Sequence, residues 1–284
     1  MNINLIIPAA GVGRRFAASS GSRRDAPNKI EAQLGGQPVF LRSVECFKHR
    51  HDVTRIILAV NPDQIEPFRF KYGDRLGFLG VKVVPGGRRE RWESVLAALD
   101  EVEAECTHVA VHDAARPLAS VALVDRMLAA AELHPAVVPA MPVSHTLKRL
   151  KDPKVEPDGQ EENGDPLDAV LGDAGKVKIP TQLVHETIDR QGLVEVQTPQ
   201  VFEADLLRRA YARITEGADP SRITDDASLV EALGEPVRVV EGEAINLKIT
   251  RGDDLQLAEA YIAATREEEA AKSASKRLFV DEEE

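Results

Sequence analysis

The segment Leu5-Ile6-Ile7-Pro8-Ala9-Ala10-Gly11-Val12-Gly13-Arg14-Arg15 decides how the rest of the chain is read. Its apolar half is long enough for one buried strand, and from Pro8 it passes at once into small residues, two glycines and two arginines. Small residues let a backbone approach a ligand closely, glycine permits successive N–H groups to point inward, and arginine adds fixed charge with forked donors. A phosphate-gripping loop for a polyphosphate is the functional reading; a strand and glycine turn kept only for packing is the competing one. The segment is not a Walker loop, because it lacks the Gly-Lys-Ser/Thr ending, and no third glycine stands where a dinucleotide fingerprint needs it.

Composition narrows the classes further. A chain of 284 residues, 43% of them hydrophobic, can bury a substantial core as one large domain with or without appendages. The net charge of −11, with no broad basic face, argues against nucleic acid as a partner, so any anion must be held locally. Cys46 and Cys106 each sit in apolar-rich segments, which speaks against a disulfide framework or a zinc site and for a reducing compartment. No basic region precedes the first apolar run, and no run approaches the roughly 18 residues of a membrane span. A soluble, cytoplasmic protein is expected.

Strand and helix patterns alternate after the first loop. Residues 55–60 and 81–84 read as buried strands, and Asn61-Pro62-Asp63 opens a short helix between them. Residues 39–50 carry Phe40, Val44 and Phe47 at i, i+4, i+7 behind Pro38, the spacing of an amphipathic helix. Helices are also expected over 120–134, around Leu206 to Ile214, from a cap at Thr224 or Asp225, and over 253–264; further strands are expected over 135–143 and 237–240. This alternation predicts an α/β fold with a mainly parallel sheet, helices on both faces, and ligands at the carboxyl ends of the strands.

The polar landmarks fall at those ends. Residues 16–28 have no period and are expected to form a lid-like connection that delivers Lys29 to the phosphates. Pro85-Gly86-Gly87 ends the third strand and leads through Arg88-Arg89-Glu90-Arg91-Trp92-Glu93-Ser94 into a helix; a surface cluster paired with Glu90 and Glu93 is the plain reading of Arg88, Arg89 and Arg91. Val109-Ala110-Val111-His112-Asp113-Ala114-Ala115-Arg116-Pro117 puts a carboxylate at the end of an apolar strand, where Asp113 is placed to hold Mg²⁺ against triphosphate oxygens. Ser144-His145-Thr146-Leu147-Lys148 is followed by a stretch, 151–184, whose low hydrophobicity and high charge predict a flexible excursion. Thr187-Ile188-Asp189-Arg190-Gln191-Gly192-Leu193, Thr198-Pro199-Gln200 and Asn246-Leu247-Lys248 complete the set.

These motifs, in this order, resemble the 2-C-methyl-D-erythritol 4-phosphate cytidylyltransferase family over roughly residues 3–264. The resemblance rests on Pro-Ala-Ala-Gly-x-Gly-Arg-Arg, His-Asp-Ala-Ala-Arg-Pro, and Thr-x-Asp-Arg-x-Gly-Leu. It implies a Rossmann-like nucleotidyltransferase fold over 1–264, a protruding dimerisation arm over 144–192 lengthened by the insertion 151–184, and a charged tail, 265–284, outside the match. It implies CTP and a polyol phosphate as substrates. Ala9, Ala10, Gly11, Val12, Gly13, Arg14, Gly86, Gly87 and Ser94 would hold the nucleotide, and Arg15, Lys29 and Lys248 would act on the phosphates. Arg116, Thr146, Arg190 and Thr198 would hold the acceptor, Thr146 and Arg190 across a homodimer. Departures stand at Asn28, at Arg88 where an acidic side chain is usual, at His145 in place of aspartate, and at Ile245 in place of an acidic residue. Ribitol 5-phosphate as acceptor, UTP or GTP as donor, and a relative that has lost catalysis remain the alternatives.

Overall fold

A computed structural model of the chain describes residues 1–11, 16, 28–151, 181–217 and 219–280. They fall into two compact units, Met1–Met141 with Val196–Glu284, and Pro142–Glu195. In chain order the elements begin with β1 (Ile3–Ala9), α1 (Val39–Glu45), β2 (Val53–Val60), α2 (Ile65–Phe78), β3 (Val81–Pro85) and α3 (Arg91–Leu99). There follow β4 (His108–Val111), α4 (Val121–Ala131), β5 (Ala136–Pro142), β6 (Leu147–Leu150) and β7 (Val184–Ile188). Then come β8 (Gln200–Glu203), α5 (Ala204–Thr215), α6 (Asp226–Ala232), β9 (Arg238–Glu241) and α7 (Gly252–Val280).

The sheet of the first unit runs β5-β8-β4-β1-β2-β3, with β9 on the other side of β5. Among these strands pairing is parallel except at β8, which lies antiparallel to both β4 and β5. Strand β1 sits in the middle because both its faces are apolar. Ile3, Leu5 and Ile7 pack with Phe40, Val44 and Phe68, while Ile6 packs with Val95, Ala98 and Tyr211. The two-residue period of a strand thus feeds one hydrophobic layer on each side, and helices cover both.

Several boundaries differ from the sequence expectation for local reasons. Helix α1 stops at Glu45, with Cys46 as its C-cap, so Phe47 reaches the core from the turn beyond. Asn61 accepts from the Asp63 N–H and starts a short 3-10 turn, Pro62–Gln64, which passes into a helix of 14 residues. Ser120 is a cap outside α4, accepting from the Leu123 N–H. The cap of α6 is Asp225, which accepts from the Ser228 N–H while Ser228 answers it. The last helix does not stop at residue 264 but runs on to Val280. Between the short strands Gln33–Leu34 and Gln37–Pro38, Gly35 and Gly36 have φ of 55° and 88°, the pair of left-handed residues a two-residue hairpin turn requires.

The second unit is described by itself. Its centre is the antiparallel hairpin of β6 and β7, tied by Arg149 to Glu186 at 2.9 Å and by the Lys151 N–H to the Leu183 carbonyl at 2.8 Å. Residues 152–180, which hold most of the expected insertion, lie outside the described residues.

Candidate active site

The ends of β1, β3 and β4 open on one cleft of about 170 Å³, lined among others by Ala9, Ala10, Gly11, Lys29, Asp113 and Lys248. Gly11 is exposed, and a Cβ there would meet nothing within 4 Å, so the main chain itself fronts the cleft. Val12, Gly13, Arg14 and Arg15 lie outside the described residues. The segment bearing Lys248 is fastened to the β4 end by the Ile249 N–H on the Ala115 carbonyl, 2.8 Å, and by Arg116 Nη1 on the Asn246 carbonyl, 2.6 Å. Three segments far apart in sequence therefore share one sheet edge.

Asp113 is the centre of the charge arrangement. It is 6% exposed, yet among the described residues three cationic side chains converge on its carboxylate. Lys248 Nζ donates to Oδ2 at 2.6 Å, Arg91 Nε donates to Oδ1 at 2.8 Å, and Arg116 Nε stands 3.8 Å from Oδ2. Burial alone pushes this carboxyl up; Arg91, then Lys248 and Arg116, outweigh it and hold the group well below the usual carboxylate range. The same burial lowers Arg116, whose Nε has no hydrogen-bond partner. Behind Asp113, Thr198 accepts from the Asp113 N–H at 3.0 Å, and its hydroxyl meets His112 Nδ1 at 3.1 Å. His112 Nε2 meets the Arg116 carbonyl at 2.9 Å; wholly buried, this imidazole is pushed down to about 4 and is neutral. Thr198 is only 4% exposed, so the structure places it as a support of the His112-Asp113 backbone.

Arg91 corrects the plain reading of the arginine cluster. It turns inward, its Nη1 donating to Asp226 Oδ2 at 2.7 Å while its Nε takes Asp113. Asp226 is fully buried and also accepts from the Tyr211 hydroxyl at 2.5 Å. Burial, with Asp226 alongside, holds that phenol well above its ordinary range. Arg88 by contrast stays at the surface and pairs with Asp63, and Glu93 pairs with no arginine side chain of the cluster. Its carboxylate instead accepts from the backbone N–H groups of Arg88 and Arg89 at 2.9 and 3.0 Å, and it forms a capping box with Glu90. Sequence reasoning missed this buried set because Arg91 and Asp226 are 135 residues apart and a lone Asp at a helix start reads as a cap.

The loop after β3 is equally tight. Ser94, 2% exposed, accepts from the Gly87 N–H at 2.9 Å, so its oxygen is engaged in shaping the loop. A Cβ on Gly87 would lie 2.2 Å from the Glu93 Cβ, and one on Gly86 would lie 2.9 Å from Ser94 Oγ. Glycine is required at both by close approach. With the N–H groups of 87–89 turned to Ser94 and Glu93, the loop's carbonyls are the polar groups these bonds leave over.

The remaining candidates belong to the second unit. Thr146 is exposed, as is His145, and Arg190 Nη1 donates to the Ser144 carbonyl. Lys148 Nζ donates to Thr187 Oγ1 at 2.5 Å across the hairpin.

The donor set decides what the first-unit cleft can hold. Arg91 Nη2 and Arg116 Nε are buried donors without acceptors, beside a carboxylate already shared by cations. Positive charge exceeds negative, which suits a polyphosphate. Among the described residues there is no group of three His, Cys, Asp or Glu side chains able to hold a metal ion. A magnesium ion fits only in the manner usual for it with nucleotides, one carboxylate with the other ligands from phosphate oxygens and water.

The family model described as 2-C-methyl-D-erythritol 4-phosphate cytidylyltransferase matches residues 3–164 and 160–264. A protein of that name from Rhodopirellula baltica is 37% identical over 279 residues, covering 94% of this chain and 97% of the relative. Another, from Symbiobacterium thermophilum, is 39% identical over 268 residues, covering 94% of each. The crystal structure of the 2-C-methyl-D-erythritol 4-phosphate cytidylyltransferase of Thermus thermophilus is similar with a TM-score of 0.65 at 31% identity, covering 92% of this chain and 98% of that one. With the match running through both segments of the first unit and including Asp113 and Lys248, this chain belongs to the 2-C-methyl-D-erythritol 4-phosphate cytidylyltransferase family.

Proposed function

We propose that this chain transfers CMP from CTP to 2-C-methyl-D-erythritol 4-phosphate, giving 4-diphosphocytidyl-2-C-methyl-D-erythritol and pyrophosphate for isoprenoid precursor synthesis. The observation that carries the reading is the excess of positive charge around Asp113 at the carboxyl edge of the sheet, in a chain of this family. A phosphate oxygen of the acceptor forms a bond to the α-phosphorus of CTP. The bond from that phosphorus to the bridging oxygen breaks, and its electron pair leaves with pyrophosphate. A phosphate monoester is already an anion at neutral pH, so no protein nucleophile or base is needed. The barrier lies in bringing anions together and in charge gathering on the non-bridging oxygens, and fixed cations aimed at that position lower it.

Lys29 and Lys248, which line the cleft, hold the triphosphate, with Arg15 of the first glycine-rich segment as a third cation. Arg116 orients the acceptor side. Mg²⁺ held by Asp113 would neutralise phosphate oxygens when bound. The protein works as a homodimer in which Thr146 and Arg190 of the hairpin unit reach the acceptor phosphate of the other subunit. In support, Leu183, Val184, Leu193 and Val194 of that unit are 53, 51, 41 and 43% exposed, apolar surface that a partner would cover. Two free cysteines and no described helix long and apolar enough to cross a membrane agree with a soluble cytoplasmic enzyme.

Pyrophosphate release with CTP, Mg²⁺ and either 2-C-methyl-D-erythritol 4-phosphate or ribitol 5-phosphate tests the assignment. Release with the methylerythritol acceptor alone is expected. Release with ribitol phosphate alone would move the chain to the sister activity, and release with neither would overturn nucleotidyl transfer to a polyol phosphate.

A further inference from the structure

We infer that Asp226 and Tyr211, outside the cleft, are positioning residues for the transfer, acting through Arg91 on Asp113. This rests on the transfer proposed above. Arg91 stands at the first position of α3, whose start is fixed by the Glu90/Glu93 capping box. Its guanidinium is pulled between two carboxylates: Nε to Asp113 at 2.8 Å and Nη1 to Asp226 at 2.7 Å. Tyr211, 1% exposed, donates to the other oxygen of Asp226 at 2.5 Å and thereby fixes that carboxylate from α5. The chain Tyr211-Asp226-Arg91-Asp113 crosses from one helical layer to the sheet edge.

A fully buried aspartate is expensive to keep, and a simple structural role would be filled as well by an apolar pair. Two things follow from its position. Asp226 holds one arm of the Arg91 fork, so only one nitrogen of Arg91 lies on Asp113 and Oδ2 is shared with Lys248 alone at hydrogen-bond range. Without Asp226, the guanidinium would turn its fork onto Asp113 in the bidentate manner arginine favours, and Asp113 would be pinned by a cation in the place its ligand must take. Asp226 also offsets one of the three positive charges, which keeps the site selective for a bound anion without locking its own carboxylate. The Gly87 N–H bond to Ser94 Oγ fastens the Gly86-Gly87 loop to the helix that carries Arg91, so loop shape and Asp113 orientation are set together.

Tyr211→Phe and Asp226→Asn, each assayed beside the wild type, test this. Outer partners of a metal-binding carboxylate typically change metal affinity or activity by about 10- to 100-fold. Asp226→Asn is expected to raise the Mg²⁺ concentration for half-maximal rate and lower kcat by about 10-fold or more, with KM for the acceptor unchanged. Tyr211→Phe should move in the same direction by less, with its thermal midpoint close to wild type. Calorimetric titration of CTP with and without Mg²⁺ gives a readout apart from turnover: the gain in CTP affinity on adding Mg²⁺ should shrink in both variants. Wild-type Mg²⁺ dependence in a folded Tyr211→Phe and Asp226→Asn would overturn the inference. A wild type that releases no pyrophosphate, yet binds CTP, would instead overturn the transfer reading.

Discussion

The two edges of the first unit's sheet use the same side chains to opposite ends. At the amino edge, two arginines meet three carboxylates and no cation is left over. Arg50 holds Asp52 at 3.0 Å and also Asp125, and Asn4, buried in β1, donates to Thr54 and Glu103 while Glu103 pairs with Arg55 at 2.5 Å. At the carboxyl edge, charge is mismatched: Arg91, Arg116 and Lys248 surround Asp113, and two arginine nitrogens stay without acceptors. A network whose cations all have carboxylates is complete as it stands and contributes modestly to stability. A cation-rich one is complete only when further negative charge arrives. The difference between scaffold and site here is one of stoichiometry in the ion pairs, not of residue type.

Breaking the carboxyl edge should have the largest effect. Lys29→Ala is expected to leave the fold intact and lower turnover by about 10²-fold, as removal of one transition-state contact does elsewhere. Pyrophosphate release checks turnover and circular dichroism checks the fold; near-normal release would remove Lys29 from the mechanism.

Mild acid should separate the edges next. His112 is lowered from 6.5 to about 4 by burial, so between those values the unfolded chain binds a proton that the folded chain refuses. The resulting penalty is absent above about pH 6.5 and grows as pH falls toward about 4. At the amino edge Arg50 holds Asp52 below the ordinary carboxylate range, so that contribution is present above the unfolded value and is lost only at lower pH, through the folded one. The thermal midpoint is expected to fall between pH 7 and pH 5, with a flatter slope in His112→Gln and an unchanged slope in Asp52→Asn. Equal slopes in all three would contradict the assignment of acid sensitivity to the buried imidazole.

Smallest of all should be Arg50→Ala. Its loss is expected to cost about 1 kcal/mol or less by denaturant unfolding and to leave pyrophosphate release unchanged.

This contrast also marks what could be read in advance. Segments that carry their own signal were legible: the apolar β1, the strand ending in Asp113 and the glycines after β3, whereas Lys248 came only with the family resemblance. Each is a short motif whose local conformation follows from its own residues. The pairing of Arg91 with Asp226 and Tyr211 was not legible, because it is made by tertiary packing of α3, α5 and α6. Nor was the place of Thr198, for β8 enters the sheet antiparallel between β4 and β5 and the residues leading into it set Thr198 behind Asp113. Arginine spacing showed that a cation was available; it did not show which way the cation points.

The most direct measurement is pyrophosphate release by Asp113→Asn with CTP, Mg²⁺ and 2-C-methyl-D-erythritol 4-phosphate. The account expects a folded protein whose turnover is down by about 10²-fold or more, since the carboxylate that orders Arg91, Lys248 and Arg116 is gone. A folded Asp113→Asn that releases pyrophosphate at the wild-type rate would contradict it.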